Sequence, residues 1–171
     1  MRFCPYTFMP VWRRSSPFAF LAFWGFTGLF SGAFAAFRIS HSFSPLMRMA
    51  ASCPVSIVGL LASNLLPLFF SVCAVYFDIR RFLYPVAFFK LFLFSFVSMG
   101  VIQAYRSAAW LVHFLFLFSD SLSLPVLCLF WTRQICGRKE TLLRDTLLCL
   151  VFFVFIGGLD FYLISPFLAN L

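Results

Sequence analysis

Apolar residues along the chain fall into five long runs that are separated by short polar gaps. The runs cover residues 17–37, 54–77, 85–105, 108–131 and 147–168. A helix needs roughly 20 apolar residues to cross the hydrocarbon core of a bilayer, and each run is about that long. The pattern predicts an all-α polytopic membrane protein, a bundle of about five transmembrane helices that forms a single domain over residues 1–171.

The composition supports this interpretation. Of the 171 residues, 63% are hydrophobic and 11% are charged, and the mean hydropathy is +1.01. A soluble domain is nearer half apolar and a quarter charged, so this chain in water would have too little polar surface to cover its core. Only Arg106 and Ser107 separate the third and fourth runs, which predicts a tight helical hairpin.

Basic residues in the gaps predict the orientation of the spans. Nine fall on one side, namely Arg2, Arg13, Arg14, Arg80, Arg81, Arg133, Arg138, Lys139 and Arg144. Three fall on the other side, namely Arg38, Arg48 and Arg106. Cytoplasmic loops carry the excess of Lys and Arg, so we expect a cytoplasmic N-terminus and an external C-terminus. The net charge of +8 is assigned to headgroup-facing gaps rather than to nucleic acid, since no nucleic-acid-binding motif is present.

The region around the first span leaves two alternatives. The Ala-Phe-Ala sequence at residues 33–35 resembles a signal-peptide cleavage site, but an apolar run of about 20 residues exceeds a typical signal-peptide core and favours a retained span. Pro5 and Pro10 oppose a regular helix before that span. A short surface helix is expected to begin near residues 44–45, where Ser suits an N-cap and Pro the first helical position.

Small residues mark one face of the first span. Gly28 and Gly32 form a GxxxG motif, and Gly25 and Ala36 extend the series. Small residues let helices approach closely in a membrane, where no hydrophobic effect drives their association. We expect a helix-packing surface; the partner is a helix of the same chain or of a second chain, and the first alternative is favoured.

Asp120 and Asp160 are the most informative polar positions. Ionisable groups at membrane depth are costly and usually face the bundle interior. At 1.5 Å per residue, Asp120 lies roughly 18 Å and Asp160 roughly 15 Å from the outer ends of their spans, so the two carboxyls are expected at one level. They are either hydrogen-bonded pegs between helices, which is favoured, or stations of a proton or cation path. His113 precedes Asp120 by seven residues, so both are expected on one helical face. His113 is either a lone His with one hydrogen-bond partner, which is favoured, or a proton station of the same path.

Other polar residues and prolines within the spans complete the candidates. Lys90 is placed near the cytoplasmic end of the third span, where it either extends to the headgroups or pairs with Asp120. Asn64 is interpreted as a hydrogen-bonding contact between helices. Pro67 and Pro125 each remove a backbone donor and can bend their helices. Because Pro125 follows a polar cluster at residues 119–123, that segment is the favoured functional position.

The sequence gives no indication of an enzyme or a cofactor. The motifs HExxH, GxSxG and GxxxxGK[ST] are missing. The six cysteines contain no CxxC pair, so neither a metal site nor a disulfide framework is predicted; they are Cys4, Cys53, Cys73, Cys128, Cys136 and Cys149. We expect a non-enzymatic protein without catalytic, metal or cofactor-binding residues.

Three segments after residue 57 have a recognisable pattern, namely residues 88–100, 119–125 and 158–168. In these segments the chain resembles the stage II sporulation protein M family of bacterial membrane proteins. The closing segment at residues 158–168, with an acidic residue followed by Ser-Pro, looks like the end of the family's last helix. The hairpin at residues 88–100 is similar to the family's helix with a basic residue and then Gly. The polar break at residues 119–125 lies where the family often has a polar residue near a Pro. The chain departs from the family's pattern at Leu91, where Gly is common, and at Asp120, where an amide is more typical.

The resemblance implies a membrane scaffold in the bacterial cell membrane. In the family's namesake role, the protein recruits cell-wall hydrolases to the septal membrane during engulfment in sporulation, so the resemblance implies lipids and membrane or cell-wall-remodelling proteins as partners. Self-association stays open. The alternative function is a small transporter or channel subunit with a proton or cation path through Asp120 and Asp160.

Overall fold

The computed structural model describes residues 11–39, 57–105, 118–136 and 141–164. Every regular element in these ranges is helical. The elements are α1 (Val11–Arg38), α2 (Ile57–Tyr76), a 3-10 turn (Arg80–Phe82), α3 (Leu83–Tyr105), α4 (Phe118–Cys136), α5 (Leu142–Leu159) and a π-helical turn (Asp160–Ile164). The all-α class is therefore confirmed for the described residues. The hairpin at residues 106–107, the helix expected near residue 44 and His113 lie outside them.

Three helical stretches in the described ranges are long and apolar enough to cross a membrane. They are Pro17–Arg38, Arg80–Gln103 and Leu142–Tyr162, which correspond to the first, third and fifth apolar runs. The second run contains a shorter apolar helix, Leu61–Tyr76. Part of the fourth run, residues 108–117, lies outside the described ranges, and α4 itself includes Asp120 and Arg133, which lower its hydropathy.

Several helix boundaries differ from those expected from the apolar runs. Helix α1 begins at Val11, directly after Pro10, and contains Pro17. The second and third of the apolar stretches begin at Arg80 and Leu142, each five residues before the predicted start. Hydropathy alone misses such starts because polar residues can occupy the ends of a helix once their side chains are paired or face the headgroups.

The most extensive helix contact in the described ranges joins α1 and α3. A Cβ atom at Gly28 would lie 2.5 Å from the backbone oxygen of Phe88, and one at Gly32 would overlap the backbone oxygen of Phe92. The small-residue face of α1 therefore lies against the backbone of α3 in the same chain. Ala36 is fully buried, and Trp24 packs edge-on against Phe88 at 5.9 Å between ring centroids.

The connection between α2 and α3 begins with a Schellman-type C-cap. The amide of Ile79 donates to the carbonyl of Ala74 at 2.8 Å, and that of Asp78 donates to Val75 at 3.1 Å. Asp78 has a φ of 61°, the left-handed conformation that this motif requires and that Asp tolerates better than most residues. The chain reverses here, so α2 and α3 run side by side and their polar residues meet.

Helix α5 packs against α2 and α4. The buried core that joins these helices to α3 includes Trp131, Phe153, Leu83 and Leu127, each at most 1% exposed. The indole Nε1 of Trp131 donates to the Ser71 hydroxyl at 2.8 Å, which satisfies its donor away from water. The helices therefore enclose an interior that combines aromatic packing with a few paired polar groups.

Candidate functional site

The site begins with the backbone carbonyl of Ser63 on α2, four residues before Pro67. Proline has no amide hydrogen, so the carbonyl of Ser63, four residues earlier on α2, cannot receive its usual helical hydrogen bond. The ammonium group of Lys90 on α3 donates to that carbonyl at 3.0 Å. The proline in the middle of α2 thus provides an acceptor inside the bundle, which a side chain of the neighbouring helix uses.

Lys90 is held by three acceptors. Besides the Ser63 carbonyl, its Nζ donates to Asn64 Oδ1 at 3.1 Å and to Asp120 Oδ1 at 2.6 Å. An ammonium has three hydrogens, so these contacts account for its full donor capacity. The side chain is 5% exposed, and the pairing with Asp120 is the arrangement that the structure adopts rather than an extension to the headgroups.

The position of α3 explains why Lys90 does not reach the surface. The apolar helical stretch starts at Arg80, so Lys90 is about ten residues, or roughly 15 Å, from that end. The sequence placed this span's start at residue 85 and Lys90 correspondingly nearer the headgroups. In the structure the two side chains are in direct contact, with 2.6 Å between Lys90 Nζ and Asp120 Oδ1.

Asn64 extends the site to α4. Its Nδ2 donates to the Ser119 hydroxyl at 3.1 Å, and its Oδ1 accepts a hydrogen bond from the Ser123 hydroxyl at 2.6 Å. Asn64 and Ser123 are both at most 1% exposed. We call the group Ser63, Asn64, Lys90, Ser119, Asp120 and Ser123 the polar cluster; it joins α2, α3 and α4.

Asp120 differs from the rest of the polar cluster in its exposure. Its Oδ1 accepts from Lys90 and, at 3.3 Å, from the Ser63 hydroxyl. Both of these hydrogen bonds end on the same carboxylate oxygen. The Asp120 side chain is 22% exposed and borders a groove between α2 and α3.

Asp160 lies next to the polar cluster on the π-helical turn that follows α5. Its carboxylate is near enough to Asp120 for the two to interact electrostatically. Asp160 is 4% exposed, and its Oδ2 has no hydrogen-bond partner among the described residues. Two carboxylates and one ammonium thus meet in this region, and π-helical turns are frequent at functional sites.

A second polar group links the end of α4 to the start of α5. Buried Asp145 accepts from Gln134 Nε2 at 3.0 Å and contacts Arg133 Nη1 at 3.3 Å and Arg144 Nε at 3.6 Å. Arg80 donates to the backbone carbonyl of Gln134 at 3.2 Å. All three arginines were assigned to the cytoplasmic side by charge counting, so this group lies at the end of the bundle predicted to face the cytoplasm.

We expect Asp145→Ala to lower the free energy of unfolding by about 1–3 kcal/mol, because the buried amide of Gln134 loses its acceptor. Arg133→Ala should cost less than about 1 kcal/mol, since that side chain is 61% exposed and exposed ion pairs contribute little. Chemical unfolding in detergent micelles measures both. Equal losses for the two variants would show that the ion pair, not the buried hydrogen bond, is the important contact.

The structure brings together some of the predicted site residues. Lys90 and Asp120 are in contact, and Asp160 is close enough to Asp120 to interact with it electrostatically. Gly25, Gly28 and Gly32 lie in the contact between α1 and α3, and Ala36 on the same helix is buried. In the described ranges, no group of three or more His, Cys, Asp or Glu side chains is placed to hold a metal ion. The sequence patterns did not indicate that the Ser63 carbonyl accepts from Lys90 or that Gln134 pairs with Asp145. The position of Pro67, four residues after Ser63, could have indicated the first of these contacts.

No protein-family model, no curated protein and no solved structure matches the chain. The resemblance to the stage II sporulation protein M family therefore stays a prediction from the sequence.

Proposed function

We propose that the chain is a non-enzymatic, multi-pass membrane scaffold whose bundle of about five helices holds partner proteins at the membrane. The observation that carries this proposal is the polar cluster, in which Lys90 of α3 donates to Asn64 of α2 and to Asp120 of α4, so that its hydrogen bonds join three helices. A group of this kind keeps helices in a fixed register, which is the property that a scaffold needs.

The outer surface also supports a scaffold. Large apolar side chains face outward along α1, where Phe23, Phe26, Phe30 and Phe34 are all more than 60% exposed. In a bilayer this face is available to lipid and to apolar helices of other proteins. A rigid interior with such a face suits a protein that binds neighbours in the membrane plane.

The resemblance adds a class of partner to the proposal. Stage II sporulation protein M proteins position cell-wall hydrolases during engulfment, and this chain is proposed to act similarly in a bacterial cell membrane. Affinity capture of the tagged full-length chain from detergent-solubilised native membranes, followed by mass spectrometry, tests it. Recovery of cell-wall hydrolases or septal proteins supports the proposal; recovery of the chain alone contradicts it.

The proposed topology has a cytoplasmic N-terminus and an external C-terminus. Fusions to the C-terminus in a bacterial host measure it. We expect an alkaline phosphatase fusion to be active and a green fluorescent protein fusion to be dark, because the first needs export and the second folds in the cytoplasm. The opposite pattern would reverse the orientation or imply an even number of spans.

A second candidate function is a proton or cation path, and Asp160 favours it. Its buried Oδ2 has no partner among the described residues, and its carboxylate lies near Asp120, so a proton or a cation would relieve the repulsion between them. Flux across proteoliposomes that contain the purified chain tests this function. A path predicts that Asp160→Asn abolishes flux, whereas a scaffold predicts no flux in either protein and unchanged partner capture.

A further inference from the structure

A groove of about 570 Å³ lies between α2 and α3 and reaches the polar cluster. This volume is typical of pockets that bind small ligands. Leu66, Phe70, Phe89 and Leu93 are among the side chains that form its walls, and each is more than two-fifths exposed. Lys90 and Asp120 border the same groove, so this mostly apolar groove has an ion pair on its wall.

The two charged groups beside the groove, Lys90 and Asp120, differ in their capacity to bind a ligand. The ammonium group of Lys90 donates its three hydrogen bonds to Ser63, Asn64 and Asp120, so no donor is left for a ligand. Among the described residues, the hydrogen bonds to the Asp120 carboxylate from Lys90 and Ser63 both end on Oδ1, and the side chain is 22% exposed. Asp160 adds a second carboxylate nearby. The local balance therefore favours a ligand that brings a positive charge and a hydrogen-bond donor.

We propose that the groove binds a single-chain amphiphile with an ammonium head. Its alkyl body lies between α2 and α3, against Leu66, Phe89 and Leu93. Its head donates to the Oδ2 atom of Asp120. An anionic head of the same size would meet the Asp120 carboxylate at the groove wall, with no donor of Lys90 left to bind it, and would be disfavoured. The inference stands independently of the scaffold proposal, because it needs only the groove and its charges.

Photolabelling of the purified full-length chain in phosphatidylcholine nanodiscs tests the proposal. The probes are three diazirine-bearing alkyl chains of equal length that end in a primary amine, an alcohol or a sulfonate, and peptide mass spectrometry locates the label. We expect the amine to label α2 and α3 at the groove at least tenfold more than the sulfonate, with the alcohol between them. Equal labelling by amine and sulfonate would overturn the proposal.

Two variants test the contact with the ligand's head and the contact with its alkyl body separately. Asp120→Asn should bring the amine-to-sulfonate ratio close to one, because the attracting charge is lost. Leu93→Trp should lower labelling by all three probes severalfold while leaving the polar cluster intact, since it fills the groove. Leu148→Trp, an exposed site on α5, is the matched control and should change nothing. Labelling that survives Leu93→Trp unchanged would overturn the proposal even if Asp120→Asn fails to fold.

Discussion

We expect Lys90→Met to lower the free energy of unfolding by about 3–5 kcal/mol, the usual cost of removing one partner from a buried ion pair. Methionine keeps most of the side chain's volume, so the loss reports charge and hydrogen bonding rather than a cavity. The change removes the cation that pairs with Asp120, and it removes the hydrogen bond from Lys90 to the Ser63 carbonyl. Unfolding by sodium dodecyl sulfate from mixed micelles measures the loss.

A second substitution isolates the ion pair from the rest of the cluster. Lys90→Met combined with Asp120→Leu removes both charges, and we expect this double variant to be more stable than Lys90→Met alone. The difference from additivity should be at least about 2 kcal/mol, because the two residues are in direct contact. A single variant as stable as the native chain, or strictly additive losses, would show that the pair does not hold the helices together.

We expect Gly32→Leu to separate α1 from α3 and to lower the free energy of unfolding by about 3 kcal/mol, the upper part of the range for overpacked interiors. A Cβ at this position would overlap the backbone oxygen of Phe92 and lie 3.1 Å from the amide nitrogen of Phe96. Backbone atoms cannot rotate away as a side chain can. Trp24 packs on Phe88. If α1 and α3 separate, the emission of Trp24 should change, and fluorescence spectroscopy measures that change.

Gly158 and Gly25 provide matched controls for that experiment. Nothing lies within 4 Å of a Cβ at Gly158, so Gly158→Ala should be neutral or slightly stabilising, since Ala favours helix by about 1 kcal/mol. At Gly25 the nearest atom is the flexible Cδ1 of Leu91, at 2.8 Å. Gly25→Ala should therefore cost less than Gly32→Ala. Equal effects at all three sites would contradict the close approach of α1 and α3.

The sequence predicted the helical class and several of the important residues, for identifiable reasons. Long apolar runs have few alternatives to helices in a membrane, because every backbone group must be hydrogen-bonded within the protein. Isolated charges such as Lys90 and Asp120 stand out in those runs, as does the spacing of Gly28 and Gly32. Apolar runs, isolated charges and glycine spacing are local properties of the chain, so they can be predicted from the sequence alone.

The sequence did not decide how these residues pair. The partner of Lys90 depended on where the third apolar helical stretch begins, and hydropathy placed that start at residue 85 rather than at Arg80. The carbonyl of Ser63 became an acceptor only because Pro67 follows it at the helical spacing and α3 packs alongside. Gln134 and Asp145 are ordinary polar residues in sequence, and only the packing of α5 against α4 buries them together. Such contacts depend on helix register, which composition does not specify.

The most direct test of the account is a measurement of the distance from Lys90 Nζ to the Asp120 carboxyl carbon in lipid bilayers. Dipolar recoupling by solid-state NMR on the chain labelled with ¹⁵N-lysine and ¹³C-aspartate provides it, and Asp120→Asn assigns the signal. The account predicts strong coupling from direct contact, consistent with the 2.6 Å separation of Lys90 Nζ and Asp120 Oδ1, and its disappearance in the variant. A lysine ammonium that shows no coupling to Asp120 and exchanges freely with water would contradict the polar cluster and the functions built on it.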